Sequence, residues 1–150
     1  CMMMRTHVAW GVFLALFFLP HVTHPWVFAS VVLFASLLPD IDSMHSFFGR
    51  SLLLRPLQWL VKHRGFIHSF TFCIVLSFFV ALLVPIAALP LFIGYGGHLL
   101  ADAITVEGIR PFWPLRDEYR GSIRVGGVFE QGVFYSLLVV NFLLFVGLFF

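Results

Sequence analysis

The sequence predicts an all-α membrane protein: a polytopic bundle of about five apolar segments, in a single domain over residues 1–150. Two observations carry this. Hydrophobic residues make up 61% of the chain and charged residues only 11%, too few to clothe a soluble domain of this length. Apolar runs then recur from one end to the other, giving a mean hydropathy of +1.01. The formal charge of +2 is too small to point to nucleic acid as a partner. The two cysteines, Cys1 and Cys73, give neither a disulfide framework nor a CxxC metal signature, and Cys73 reads as a small buried hydrophobe. The N-terminal run lacks a small-residue cleavage site and a soluble domain after it, so it is not read as a signal peptide.

The segments follow in order. The first is Val8 to Leu19 and the second Trp26 to Leu38. Both are short for a hydrocarbon core of roughly 30 Å, which takes about 20 helical residues. They are expected either as tilted pieces extended through Pro20 and Pro25 or as a re-entrant hairpin. The third runs from Phe66 to Val84, the fourth from about Ile86 to Ile104 with Pro90 near its start, and the fifth from Val133 to Phe150.

Either reading of the first pair returns the chain to the side where it began. The basic residues then sort cleanly. Arg5, Arg50, Arg55, Lys62, Arg64, Arg110, Arg116, Arg120 and Arg124 all fall on the N-terminal side, and the opposite turns hold none. The positive-inside rule makes the N-terminal side cytoplasmic and leaves the C-terminus opposite. In a bacterial cell this is the inner membrane.

The acids and histidines gather on that same side. His7 opens the first segment. "SLLPDID", Ser36 to Asp42, closes the second with two carboxylates. "HRGFIHS" puts His63 and His68 at the start of the third, and "GGHLLAD" puts His98 and Asp102 in the fourth. His98 and Asp102 are four residues apart, so a helix stacks them on one face, where they can bind one metal or two adjacent metals. Ionisable groups inside a membrane segment are costly and face a polar cavity as a rule. Gly94, Gly96 and Gly97 precede them and allow neighbouring helices to come close.

Taken singly, most of these residues have plain structural readings. His7 suits an interface, Asp40 a turn after Pro39, His63 a basic loop between Lys62 and Arg64, His45 a loop, and His21 and His24 the opposite interface. The joint pattern is the stronger signal, because independent structural residues need not collect on one side. Imidazole with carboxylate suits zinc, and also manganese or iron. Several such groups together can hold two metals about 3.5–4 Å apart, the arrangement used in phosphoester hydrolysis.

The loop from Gly108 to Gln131 adds Trp113 and Tyr119, which suit the membrane interface. Its arginines either hold a phosphate or serve topology alone. Glu130, entering the last segment, is either a helix N-terminal acid or one more ligand.

With these residues in view, the chain resembles the YdjM-like family of LexA-regulated, membrane-bound metal-dependent hydrolases. His7, "LLPDID", "HRGFIHS", "GYGGHLLADAIT" with "GIRPFWPL", and Glu130 carry the resemblance across most of the chain. That family is in turn similar to the zinc-dependent phospholipase C and zinc nuclease superfamily, an all-α fold that binds a zinc cluster. The resemblance implies metal ligation by His7, Asp40 or Asp42, His63 or His68, and His98 with Asp102, and one to three zinc ions. Two departures stand out. No second H-x-x-x-D pair follows Asp102, which weighs against a full three-metal site. His7 is not the first residue as numbered, which weighs against ligation by a terminal amine.

The function expected is therefore a metal-dependent hydrolase of phosphate esters, with membrane lipid as environment and substrate source. A leftover carboxylate of Asp40, Asp42 or Glu130 would act as base, and Arg64 or Arg124 would neutralise phosphate. The alternatives are a metal transporter or sensor without hydrolytic activity, and a structural protein whose polar cluster ties helices together. A transport path needs polar groups at mid-membrane and on the opposite side, where the segments offer few: Thr71 and Ser77, with His21 and His24 on the opposite side.

Overall fold

A computed structural model describes residues 3–40, 66–115 and 117–149. Among them are five α-helices: α1, Met4–Phe18; α2, Pro25–Leu37; α3, Phe70–Leu83; α4, Pro85–Ala103; and α5, Val128–Phe149. Single 3₁₀ turns follow α1 at Leu19–His21 and α2 at Leu38–Asp40. No strand occurs among the described residues. The long loop after α4 is held by two isolated bridges, Thr105 with Ile123 and Ile109 with Tyr119.

Local chemistry sets the boundaries. Pro25 and Pro85 open α2 and α4 at positions where the missing N–H costs nothing. Ser69 starts α3: its hydroxyl oxygen accepts the Phe72 N–H at 3.1 Å, so the helix begins four residues later than the apolar run that starts at Phe66. α1 begins at Met4 and takes His7 inside the helix. α5 begins at Val128, five residues before the expected Val133, which brings Glu130 into its first turn. The first two segments are short, as the sequence predicts, at 15 and 13 residues. By length and composition α4 and Val128–Leu148 of α5 suffice to cross a membrane; Pro25–Asp40 and α3 are shorter apolar helices.

α4 is the axis of the bundle and packs against α1, α2 and α3, while α5 lies along α1. Two glycines make the central approach. A Cβ on Gly94 would overlap the Val32 carbonyl oxygen of α2, and one on Gly97 would overlap a Leu14 methyl of α1. Specific bonds fix the register: Trp10 donates Nε1–H to the Gly97 carbonyl at 3.1 Å, Tyr95 donates its hydroxyl to the Ile67 carbonyl at 2.7 Å, and Asn141 of α5 donates to the Ala9 carbonyl at 2.9 Å. The apolar core joins Ala35, Cys73, Leu91, Tyr95 and Leu99. The outer faces of α3 and α5 are apolar and exposed at Phe78, Phe79, Leu82, Leu83, Phe142 and Leu143. Apolar side chains thus cover the outside as well as the core, while His7, Asp40, His98 and Asp102 are buried, a distribution that suits helices solvated by lipid.

Candidate metal centre

Five ligand-type side chains meet at one end of the bundle, brought by four local devices. His7 rides on the start of α1. Asp40 is delivered by the 3₁₀ turn that Pro39 imposes on the end of α2. His68 sits in the turn that leads into α3. His98 and Asp102 lie one turn apart near the end of α4. All are buried, with His98 at 0% and His68 at 9% exposure marking the extremes.

Their reactive atoms converge. His7 Nε2 lies 3.1 Å from Asp102 Oδ1 and 4.0 Å from Asp40 Oδ2. His68 Nε2 lies 4.0 Å from Asp40 Oδ1 and 3.9 Å from Asp102 Oδ2. His98 Nε2 lies 3.9 Å from Asp40 Oδ1 and 3.5 Å from Asp102 Oδ2. Each carboxylate thus turns one oxygen toward His7 and the other toward the His68–His98 pair. The His7 and His98 rings stack with centroids 3.9 Å apart.

The geometry fits a metal on two counts. Metal–ligand bonds of roughly 2.0–2.2 Å put neighbouring ligand atoms of a tetrahedral site about 3.3–3.6 Å apart, and the separations here bracket that range. The second count is protonation. His98 Nδ1 is 2.8 Å from the Ser36 carbonyl oxygen, which can only accept, so in the neutral ring Nδ1 carries the proton and Nε2 presents its lone pair to two carboxylates. His98 Nε2 forms no hydrogen bond among the described residues. A lone pair facing carboxylate oxygens is an arrangement that a cation between them would satisfy, and a backbone carbonyl on the far nitrogen is the usual support of a ligating histidine. Two buried groupings of three can each hold an ion: His7, His98 and Asp102, and Asp40, His68 and His98.

The other candidates fall elsewhere. Asp42, His63, Arg64 and His45 lie outside the described residues. Glu130 is buried in the first turn of α5, in neither grouping, and accepts three hydrogen bonds, from the Met3 N–H, the Thr6 hydroxyl and the Gly126 N–H. Arg110 and Arg120 both bind Glu118, and these bonds, Arg110 foremost, hold its carboxyl below the usual carboxylate range. Arg124 borders a surface cavity of about 350 Å³ with Ser122, Gly127 and Phe129. Sequence reasoning missed Ser36 as the group that orients His98. Its contribution is a backbone carbonyl, one of the last four of α2 and so without an intrahelical partner, which no side-chain pattern announces.

Comparison with known proteins agrees in family. The family model described as YdjM inner membrane protein matches residues 2–149. Inner membrane protein YdjM of Escherichia coli K12 is 32% identical over 126 residues, covering 76% of this chain and 64% of that protein; the YdjM of Shigella flexneri gives the same figures. YvsG of Bacillus subtilis 168, an uncharacterized protein, is 31% identical over 120 residues, covering 76% of this chain and 75% of its own. The chain therefore spans somewhat less than two thirds of the length of the YdjM proteins it matches. No solved structure matches it. By sequence over nearly its whole length, the chain belongs to the YdjM family of inner membrane proteins.

Proposed function

We propose that this protein is a membrane-embedded, metal-dependent hydrolase of phosphate esters, with its site at the cytoplasmic face and lipid phosphoesters as substrates. The observation that carries the reading is the convergence of three imidazole Nε2 atoms on both carboxylates of Asp40 and Asp102, all buried at one end of the bundle. Helices α1, α2, α3 and α4 contribute there through the ends that the basic residues mark as cytoplasmic. That end of an apolar bundle lies at headgroup depth, where a lipid phosphate is at hand.

His7, His98 and Asp102 form one ligand set and Asp40, His68 and His98 a second, with His98 common to both. One or two ions fit this division, with zinc favoured by the imidazole share and manganese or iron also accommodated. A bound divalent ion would supply Lewis-acid polarisation of the phosphoryl group and acidification of water. The chain's own residues do the rest. The Ser36 carbonyl fixes the His98 tautomer. Burial keeps bulk water from the carboxylates. Any carboxylate oxygen of Asp40 not engaged by an ion is the nearest acceptor for a proton. Arg124, in the loop before α5, would be a cation for the phosphate, and Arg64, which lies outside the described residues, would be another by its place in the sequence.

The test is elemental mass spectrometry on detergent-purified protein, beside His98→Ala/Asp102→Ala, followed by hydrolysis assays on phospholipid and water-soluble phosphodiester substrates. Bound metal and metal-dependent release of product, both lost in the variant, support the reading. Bound metal with no hydrolysis but with metal flux in vesicles would replace it with a transporter. Protein that stays metal-free after zinc or manganese is added back would sink it.

A further inference from the structure

We propose that Glu130 is a positioning residue that sets His7 against Asp102 and Asp40 by capping two helices at once. The inference rests on the metal centre described above, and it removes Glu130 from the ligands of that centre.

Glu130 is the third residue of α5, and its Oε2 accepts the N–H of Gly126 at 2.5 Å, closing the entry to its own helix. Its Oε1 accepts the N–H of Met3 at 2.6 Å and the hydroxyl of Thr6 at 3.1 Å. Met3 is the N-cap of α1 and Thr6 the third residue of that helix. In a capping box, a Glu at the third helical position reaches back to the N-cap N–H of the same helix. α1 cannot build one. Met3 makes no side-chain cap, and the first turn holds no acid. Glu130 supplies the missing half from another helix, and its negative charge lies against the positive ends of both helix dipoles.

The position is deep. Glu130, Thr6 and His7 are each 1% exposed. A carboxylate so buried is tolerable only when hydrogen-bonded, and these three donors meet that need. These donors take three of the roughly four lone-pair sites of the carboxylate, and Glu130 belongs to neither grouping able to hold an ion. Thr6 is the residue immediately before His7. The hydrogen bonds of Trp10 to Gly97 and of Asn141 to Ala9 lie further along α1, while Arg5 in its first turn sits over the Phe134 ring of α5, 5.1 Å from the centroid. Glu130 thus makes the buried hydrogen bonds that tie the end carrying His7 to α5, and metal ligands must keep their places within about 0.5 Å to bind well.

Cobalt(II) is the probe, because its visible absorption reports coordination. Binding would be measured on wild type, His7→Ala, Glu130→Ala, Glu130→Gln and the double variant His7→Ala/Glu130→Ala, with helical content and thermal midpoint recorded for each. Glu130→Ala is expected to weaken cobalt binding about 10–100-fold, the usual cost of losing a supporting partner, and to shift the spectrum in the same sense as His7→Ala. The double variant should bind no more weakly than His7→Ala alone. Glu130→Gln, whose amide oxygen still accepts from Met3 and Thr6, should recover most of the affinity, and it answers the question if the alanine variant fails to fold. Unchanged affinity in both Glu130 variants, or losses that add in the double variant, would overturn the positioning role while leaving the metal centre intact. Wild type that binds no cobalt would overturn the metal centre itself.

Discussion

His98 Nδ1 donates to the Ser36 carbonyl oxygen at 2.8 Å, joining α4 to the end of α2 and aiming Nε2 at Asp40 and Asp102. His98 is also the one residue common to both groupings able to hold an ion. His98→Ala should therefore empty the centre of metal, whereas His7→Ala and His68→Ala each strip one grouping and should leave part of the metal in place. Elemental analysis of the three purified variants checks this. Equal losses in all three would mean a single site with no division between the carboxylate oxygens.

The same joint depends on a close crossing one turn earlier. A Cβ at Gly94 would overlap the Val32 carbonyl oxygen and lie 2.9 Å from Ala35 Cβ, and backbone cannot step aside as a flexible side chain can. Gly94→Ala should cost about 1–3 kcal/mol, the range for overpacking, and should weaken metal binding by prising His98 from Ser36. At Gly132, in α5, an added Cβ would meet nothing within 4 Å. Gly132→Ala should be neutral or stabilise by up to about 1 kcal/mol through helix propensity. Thermal unfolding in one detergent, with metal content alongside, compares the pair.

What could be read from the sequence divides along physical lines. The apolar runs foretold the helices, because lipid-facing helices have no polar face to blur the pattern. The His98–Asp102 pair was legible since helical periodicity alone puts the two on one face. His7, Asp40 and His68 were legible only as a set gathered on one side. The start of α5 was not legible. Glu130, Gln131 and Gly132 interrupt the apolar run, and the cap that starts the helix looks like loop. The partners of Glu130, Met3 and Thr6, are 127 and 124 residues away, beyond the reach of any local pattern.

The loop after α4 carries a tie that should respond to acid. Glu118 accepts from Arg110 and Arg120 beside the paired Ile109 and Tyr119, which exchange two backbone hydrogen bonds of 2.9 Å. Its carboxyl is held below the usual range in the folded chain. The sign follows: the tie is fully present above the ordinary carboxylate pKa and is lost as pH falls through the lower folded value. Hydrogen exchange at Ile109 and Tyr119, corrected for intrinsic rates, should lose protection in acid. In Glu118→Gln protection should be weaker at neutral pH and should no longer change with acid. Wild-type protection that stays level through the acid range would show the tie contributes nothing to the loop.

The placement of the centre at the cytoplasmic face rests on charge, so labelling of the two sides decides it. Thr23 and Ser122 are both exposed, the first in the turn between α1 and α2, the second in the loop before α5. The nine basic residues put these two on opposite sides. In a Cys1→Ser/Cys73→Ser background, Thr23→Cys should react with a membrane-impermeant maleimide in intact spheroplasts, and Ser122→Cys only after the membrane is opened. The order matters for function. Asp102 lies close before the loop that holds Ser122, so a cytoplasmic Ser122 puts the candidate metal centre beside the inner leaflet, where the proposed hydrolase would meet its substrate. If Ser122→Cys reacts first, the site faces outward, and the lipid phosphoesters it meets are those of the outer leaflet.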